Sequence, residues 1–403
     1  MDVHLLLVAV LPLALVVALI TWVALCDREM RWPRSDRVVR RGSALIAEVD
    51  VQLGRWHARI GPWRGSVFLA LVLALGAFVY VNGDVRMWSH GAIYAALSEA
   101  PFDPDVEVPL RNRILAPLIG WLLHLRGPLF VLVPWSFLVG FLAIVHQWCL
   151  REGASPVLAL AGSLSLSFSP VVLHTLVAPG FVDVVAYFMI AAALSLIHRP
   201  WISTFFMALA IMTHEASSFV VLAWLSASAS RSSGWRPVGH RGSMLLACLL
   251  PYVAYRWWTA QHDPTLYSMA FYLSEENIEA CLAVGPLAMM AGIFAVFRLH
   301  WVVLAVLLVK GGMRDQRLRW SMMLIAAMCF SLILAYDTTR MFCWAYPVLV
   351  VGVVSLGERI GQKRAALLIL LAWFLNFMIP PNTTTAAVSY PLRHIKEFME
   401  MPS

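Results

Sequence analysis

GSVFLALVLALGAFVYV, residues 65–81, runs for 17 positions without a charge. As a helix rising 1.5 Å per residue it is about 26 Å long, close to the hydrocarbon thickness of a bilayer. Arg64 precedes it and Asn82-Gly83-Asp84 follows it. Apolar blocks of helix-spanning length recur at Leu5–Leu25 and Leu282–Val309. None shows the strict alternation of a barrel strand, so helices are the structure that satisfies their backbone groups in lipid. The composition agrees, with 61% hydrophobic and 13% charged residues over 403 positions. A soluble domain of this length cannot hide that much apolar surface. The expected fold is all-α, a polytopic transmembrane helical bundle of about 12 spans.

The formal net charge is +7, which by itself suits nucleic acid. Its distribution argues otherwise, because the basic residues sit in short loops between apolar blocks, the positive-inside pattern. No nucleic-acid partner is expected. Residues 26–64 carry nine arginines and read as a cytoplasmic loop. Within it, Ser43–Leu53 has apolar residues at helical spacing and is expected to lie flat on the membrane. The chain begins Met1-Asp2-Val3-His4, with no basic n-region, so Leu5–Leu25 reads as a permanent helix and not a signal peptide. Arg231, Arg236 and Arg241 mark a second cytoplasmic loop, Lys310, Arg314, Arg317 and Arg319 a third, and Arg359, Lys363 and Arg364 a fourth. Residues 83–113, 260–280 and 337–340 and the tail after Pro380 fall outside. The organisation is therefore 1–64, an N-terminal transmembrane helix plus basic cytoplasmic loop; 65–380, a transmembrane core; and 381–403, a non-cytoplasmic tail. Both termini are expected to be non-cytoplasmic in an integral, multi-pass protein, with a bacterial inner membrane as the expected setting. The six cysteines form no CxxC pair and read as small apolar packers.

Two threadings fit residues 113–231. In one, Ile114–Leu125 crosses the membrane and Trp201–Ala227 is a single span. In the other, Ile114–Leu125 is short or re-entrant, Trp201–Met212 rises, and Ala216–Ala227 descends. The second is favoured, since the first buries His214 and Glu215 near mid-membrane, where an unpaired charge is costly.

Ionisable groups beside apolar segments are functional candidates. Four places stand out. Asp84 closes the second span. Arg111 and Arg113 stand at the mouth of the segment broken by Pro117, where forked donors suit a phosphate. Asp183 goes with Thr213-His214-Glu215; this is not a HExxH zinc motif, because residue 218 is Ser. Asp337 and Arg340 lie between two spans and have the spacing to pair with each other. Structural readings stand beside each: a helix-ending turn, snorkelling anchors, a packing pair and a turn clamp. What favours chemistry is that the threading brings all four to one side. Carboxylates, a histidine and arginines gathered there suit transfer of a group from a lipid phosphate to a hydroxyl.

At these residues the chain resembles the GT-C class of membrane glycosyltransferases, from about Gly65 to Pro380. Asp84 holds the position of the acidic residue in the first long outer loop. Arg113-Ile114-Leu115-Ala116-Pro117 fits an Arg-x-Leu-x-Pro-like stretch, and Thr213-His214-Glu215 a polar step after a short rising helix. The helix before the Arg-rich loop is outside the usual core. No DxD pair closes the second span; Asp103-Pro104-Asp105 has that spacing but sits far from the helix end, so no metal or other cofactor is assigned. The resemblance implies a transferase taking a polyprenyl-phosphate-linked sugar at the non-cytoplasmic face, amid membrane lipids. Asp84 would be the general base, with Glu215 or Asp183 orienting the acceptor or assisting it. Arg113, His214 and Arg340 would hold the lipid phosphate, with Arg111 and Asp337 beside them. The alternatives are a transporter or lipid flippase, and a non-catalytic membrane assembly factor.

Overall fold

The computed structural model describes residues 36–83, 85–87, 89–103, 106, 110–231, 236–262, 274–283, 286–311, 316–332 and 337–376. The Leu5–Leu25 block, the tail 381–403 and Asp84 lie outside these residues. Among the described residues every regular element is helical.

The apolar run at 65–81 forms the helix Pro62–Tyr80. Pro62 stands in its first turn, where a missing N–H costs nothing. Gly61, at φ 88°, turns the chain in from the preceding helix Asp36–Ile60, a left-handed conformation that glycine adopts without strain. Bulky Phe68, Leu71, Val72, Leu75 and Val79 face outward, while small Gly65, Ser66, Ala70 and Ala77 are buried. Such sorting suits a helix in lipid, where small residues let neighbouring backbones approach.

Among the described residues three helices are long and apolar enough to cross a membrane: Pro62–Tyr80, Gly127–Arg151 and Thr338–Ile360. The pair Pro156–Ser167 and Pro170–Val177, bent by 47°, is a further candidate as one broken span. Thr338–Ile360 is the central helix, with 89% of its apolar stretch buried against 28% for Pro62–Tyr80. Others are shorter apolar helices, among them Asp183–Ser195 and Pro200–Thr213.

The Leu282–Val309 block is not one helix. It divides into Pro286–Phe297, a 3-10 turn Arg298–His300 and Trp301–Gly311. The cause is Arg298, at φ 49°. Its guanidinium donates to the Asn376 carbonyl at 2.8 Å, to the Phe168 carbonyl and to Tyr80. Those acceptors stand at the C-terminal ends of three different helices, where a cation opposes the negative end of the helix dipole. A buried cation satisfied in this way breaks the helix that carries it.

Between Arg113 and Arg231 the helix boundaries follow the second threading. Leu115–Leu122 has 8 residues, about 12 Å of helix, too short to cross. The helix Pro200–Thr213 ends at His214, and Ser218–Arg231 turns back along it. Trp224 Nε1 donates to Ser203 Oγ at 2.8 Å. In a continuous helix those residues would stand about 31 Å apart. Ser43–Leu53 lies within the Asp36–Ile60 helix, whose Ile46 and His57 are buried while Leu45, Val49 and Val51 are exposed.

The loops sort into two ends. At one, Val157 N–H donates to Asp50, Ser155 N–H to Gln362, and Arg241 to the Ile197 carbonyl. Arg317 there meets Glu152 and Glu358. At the other end the loops carrying Arg113, Asp183, Glu215 and Arg340 meet. Close backbone approach builds that end: a Cβ on Gly91 would fall on the Pro179 carbonyl oxygen. Gly91→Ala therefore forces the 179–181 loop outward. We expect it to cost about 1–3 kcal/mol, as overpacking does, seen as a lower melting temperature than for Gly54→Ala, where a Cβ meets nothing.

Candidate functional site

Arg113 follows a single 3-10 turn, Leu110–Asn112, and is 6% exposed. Its Nε donates to Glu215 Oε2 at 2.9 Å and its Nη2 to Oε1 at 2.5 Å, a two-pronged pair across 102 positions of sequence. The third prong, Nη1, donates to Tyr94 Oη at 3.0 Å. Burial alone would lower the pKa of this guanidinium; the Glu215 carboxylate and Tyr94 more than reverse that and raise it well above its ordinary value. Glu215 enters this geometry because the chain leaves the helix at His214, φ −157° and ψ 127°, and starts a 3-10 turn.

Arg340 makes a matching pair 157 positions away. Its Nε and Nη2 donate to the two carboxylate oxygens of Asp183 at 3.2 and 2.9 Å. Asp183 is the first residue of the Asp183–Ser195 helix and is 1% exposed. The Arg340 guanidinium also lies over the Phe181 ring, 5.0 Å from its centre.

His214 stands between the pairs. Its Nδ1 accepts from the Ala216 N–H at 3.2 Å, which leaves the proton of the neutral ring on Nε2. Nε2 is 3.5 Å from Asp183 Oδ1, and Nδ1 is 3.8 Å from Glu215 Oε2. Trp344 tilts against the ring at 5.0 Å. The result is one connected set, Arg113–Glu215–His214–Asp183–Arg340, with two cations against two carboxylates.

The sequence candidates thus divide. Asp183, His214, Glu215, Arg113 and Arg340 come together. Arg111 is buried two residues away, and its carbonyl accepts from Tyr255 Oη at 3.1 Å. The Asp337–Arg340 clamp takes another form: Asp337 Oδ1 accepts from the backbone N–H of Arg340 at 3.3 Å and caps the short helix, freeing the guanidinium for Asp183. Asp84 lies outside the described residues. Of the described residues around it, Gly83 and Gly91 pack on the segment before Asp183: a Cβ on Gly83 would meet the Leu176 carbonyl, and one on Gly91 the Pro179 carbonyl. Tyr94, Phe181, His174 and Trp344 border the cluster without having been singled out. His174 meets Phe181 edge-on at 5.0 Å. No motif announces these four; a scattered tyrosine or histidine carries no spacing signal.

The set fixes two guanidiniums at the end of an apolar bundle, each with its fork on a carboxylate. Among the described residues no group of three or more His, Cys, Asp or Glu side chains is arranged for a metal ion. Comparison with protein-family models, curated proteins and solved structures finds no match for the chain.

Proposed function

We propose that this chain is a membrane glycosyltransferase of GT-C type, moving a sugar from a polyprenyl-phosphate donor to an acceptor hydroxyl at the non-cytoplasmic face. The observation that carries the reading is the joining of Arg113, Glu215, His214, Asp183 and Arg340, drawn from four separate segments, at one end of an apolar bundle. A purely mechanical bundle has little need for four charges there, since buried pairs seldom stabilise more than apolar packing does.

In this reading the bundle has about 12 spans, and the arginine-rich loops at the opposite end are cytoplasmic. The acceptor oxygen attacks the anomeric carbon of the sugar. The carbon–oxygen bond to the phosphate breaks, its electron pair leaves on phosphate, and the acceptor proton passes to a base. Arg113 and Arg340 offset the charge that builds on the departing phosphate. Asp84, at the end of the second span, takes the proton. Asp183 and Glu215 are committed to arginines, which favours their ionised forms and weakens them as bases; they hold the guanidiniums in place. His214 keeps the two pairs in register.

One rival has an observation behind it. Discontinuous helices such as Pro156–Ser167 and Pro170–Val177 also occur in transporters. Purified protein in nanodiscs, offered a panel of polyprenyl-phosphate sugars, separates the two. Turnover of a lipid-linked sugar supports the transferase; solute uptake into vesicles with no such turnover replaces it with the transporter. Within that assay Arg340→Lys keeps a positive charge near Asp183 but loses the fork. We expect it to raise the donor KM about tenfold or more, as charge-assisted hydrogen bonds are lost, and to lower melting by less than Asp183→Ala does, since the fork on Asp183 is lost but the charge is kept. An unaltered KM would remove Arg340 from the donor site.

A further inference from the structure

A cavity of about 390 Å³ opens at the far end of the bundle from the ion-pair cluster. Leu194 lines it, 11 residues along the helix that Asp183 begins, so about 16 Å of helix separates the two. The cavity is amphiphilic. Trp148, Trp320 and Val351 form an apolar wall, and Arg151, Glu152 and Arg317 line the rest. Arg317 is held at 2.7 Å by Glu358 and at 3.3 Å by Glu152. Arg151 pairs with no carboxylate among the described residues; its guanidinium rests over the Trp63 ring at 5.7 Å. Arg317 is thus held by two carboxylates, and Arg151 is the guanidinium of the lining with none.

We infer that this cavity binds the headgroup of an anionic phospholipid from the leaflet next to the arginine-rich loops. The phosphate would sit against Arg151, with the glycerol and upper chains along Trp148 and Trp320. Three features select a lipid. The site lies at helix ends, where headgroups are found. Its apolar wall suits the part of the ligand below the phosphate. Its volume, within the roughly 300–1,000 Å³ range of small-molecule sites, is generous for inorganic phosphate alone. Basic pockets between helices on the cytoplasmic side recognise anionic headgroups by the same physics. The inference is independent of the transferase reading, since none of these residues belongs to the ion-pair cluster.

The test uses the full chain, purified in neutral detergent, with melting temperature and native mass spectrometry as readouts. Phosphatidylglycerol is expected to raise the melting temperature saturably and to remain as a mass adduct; phosphatidylcholine is expected to do neither. Arg151→Gln, a change at an exposed side chain, should weaken the apparent affinity about tenfold, as the loss of a charge-assisted hydrogen bond does. Ala227→Leu should weaken it by filling the cavity, whatever happens to the arginine variant. Equal effects of the two lipids would overturn the inference, as would wild-type phosphatidylglycerol affinity in both variants. Inorganic phosphate producing the full shift at similar concentration would also overturn it, leaving a soluble anion as the ligand.

Discussion

Asp84→Asn is expected to leave expression, melting and donor binding intact and to abolish measurable sugar transfer. The acceptor hydroxyl must lose a proton as the new bond forms, and a positioned base contributes on the order of 10²–10⁴-fold in rate. The substitution keeps the shape of the side chain and removes its charge. The other carboxylates at that end are poor substitutes, because Asp183 and Glu215 each accept two hydrogen bonds from an arginine. The check is transfer from a polyprenyl-phosphate donor by purified protein, beside a donor-binding measurement. Near wild-type transfer would remove Asp84 as the base and turn attention to Glu215, whose side chain is 32% exposed, ahead of Asp183 at 2%.

Asp183→Ala should be the most destabilising single change at the cluster. It strands the Arg340 guanidinium, itself mostly buried, and takes away the group that His214 faces. Removing one partner of a buried ion pair costs about 3–5 kcal/mol, because the other charge is left without compensation. Replacing both partners by apolar groups of similar volume is far gentler. Asp183→Leu combined with Arg340→Met is therefore expected to recover most of the lost melting temperature while transfer stays absent. That pairing of outcomes separates the structural part of the cluster from its chemistry. A double variant that melts no higher than Asp183→Ala would show that the two residues are not coupled.

The helical architecture was legible because lipid imposes it: uncharged runs the length of a bilayer leave the backbone few choices. The turn at His214 was legible for a related reason. Thr213-His214-Glu215 interrupts an apolar stretch, and the cost of charge at mid-membrane selects a hairpin over a continuous helix. The split of Leu282–Val309 was less so. Hydropathy averages Arg298 into its neighbours, whereas the structure answers to acceptors 78 and 130 positions away. The same limit applies to the site. Residue type and side of the bundle identified Arg113, Asp183, His214, Glu215 and Arg340, but which arginine holds which carboxylate is a tertiary fact. Asp337 and Arg340 illustrate it, since spacing suggests a local clamp while the fork reaches across to Asp183. Tyr94 completes the Arg113 shell from a helix, His90–Glu99, whose sequence marks no site.

Arg298 also sets an order on biogenesis. Its guanidinium needs the carbonyls of Phe168 and Asn376, and Asn376 further accepts the Leu299 N–H and meets His300. Phe168 is made long before Arg298 leaves the ribosome, but Asn376 follows it by 78 residues. During that interval a nascent chain carries a cation in a largely apolar segment with part of its shell missing. Closure of the bundle around Arg298 is thus a late event, completed when the Gln362–Asn376 helix arrives. A chain interrupted upstream of that helix would leave Arg298 without its Asn376 acceptor.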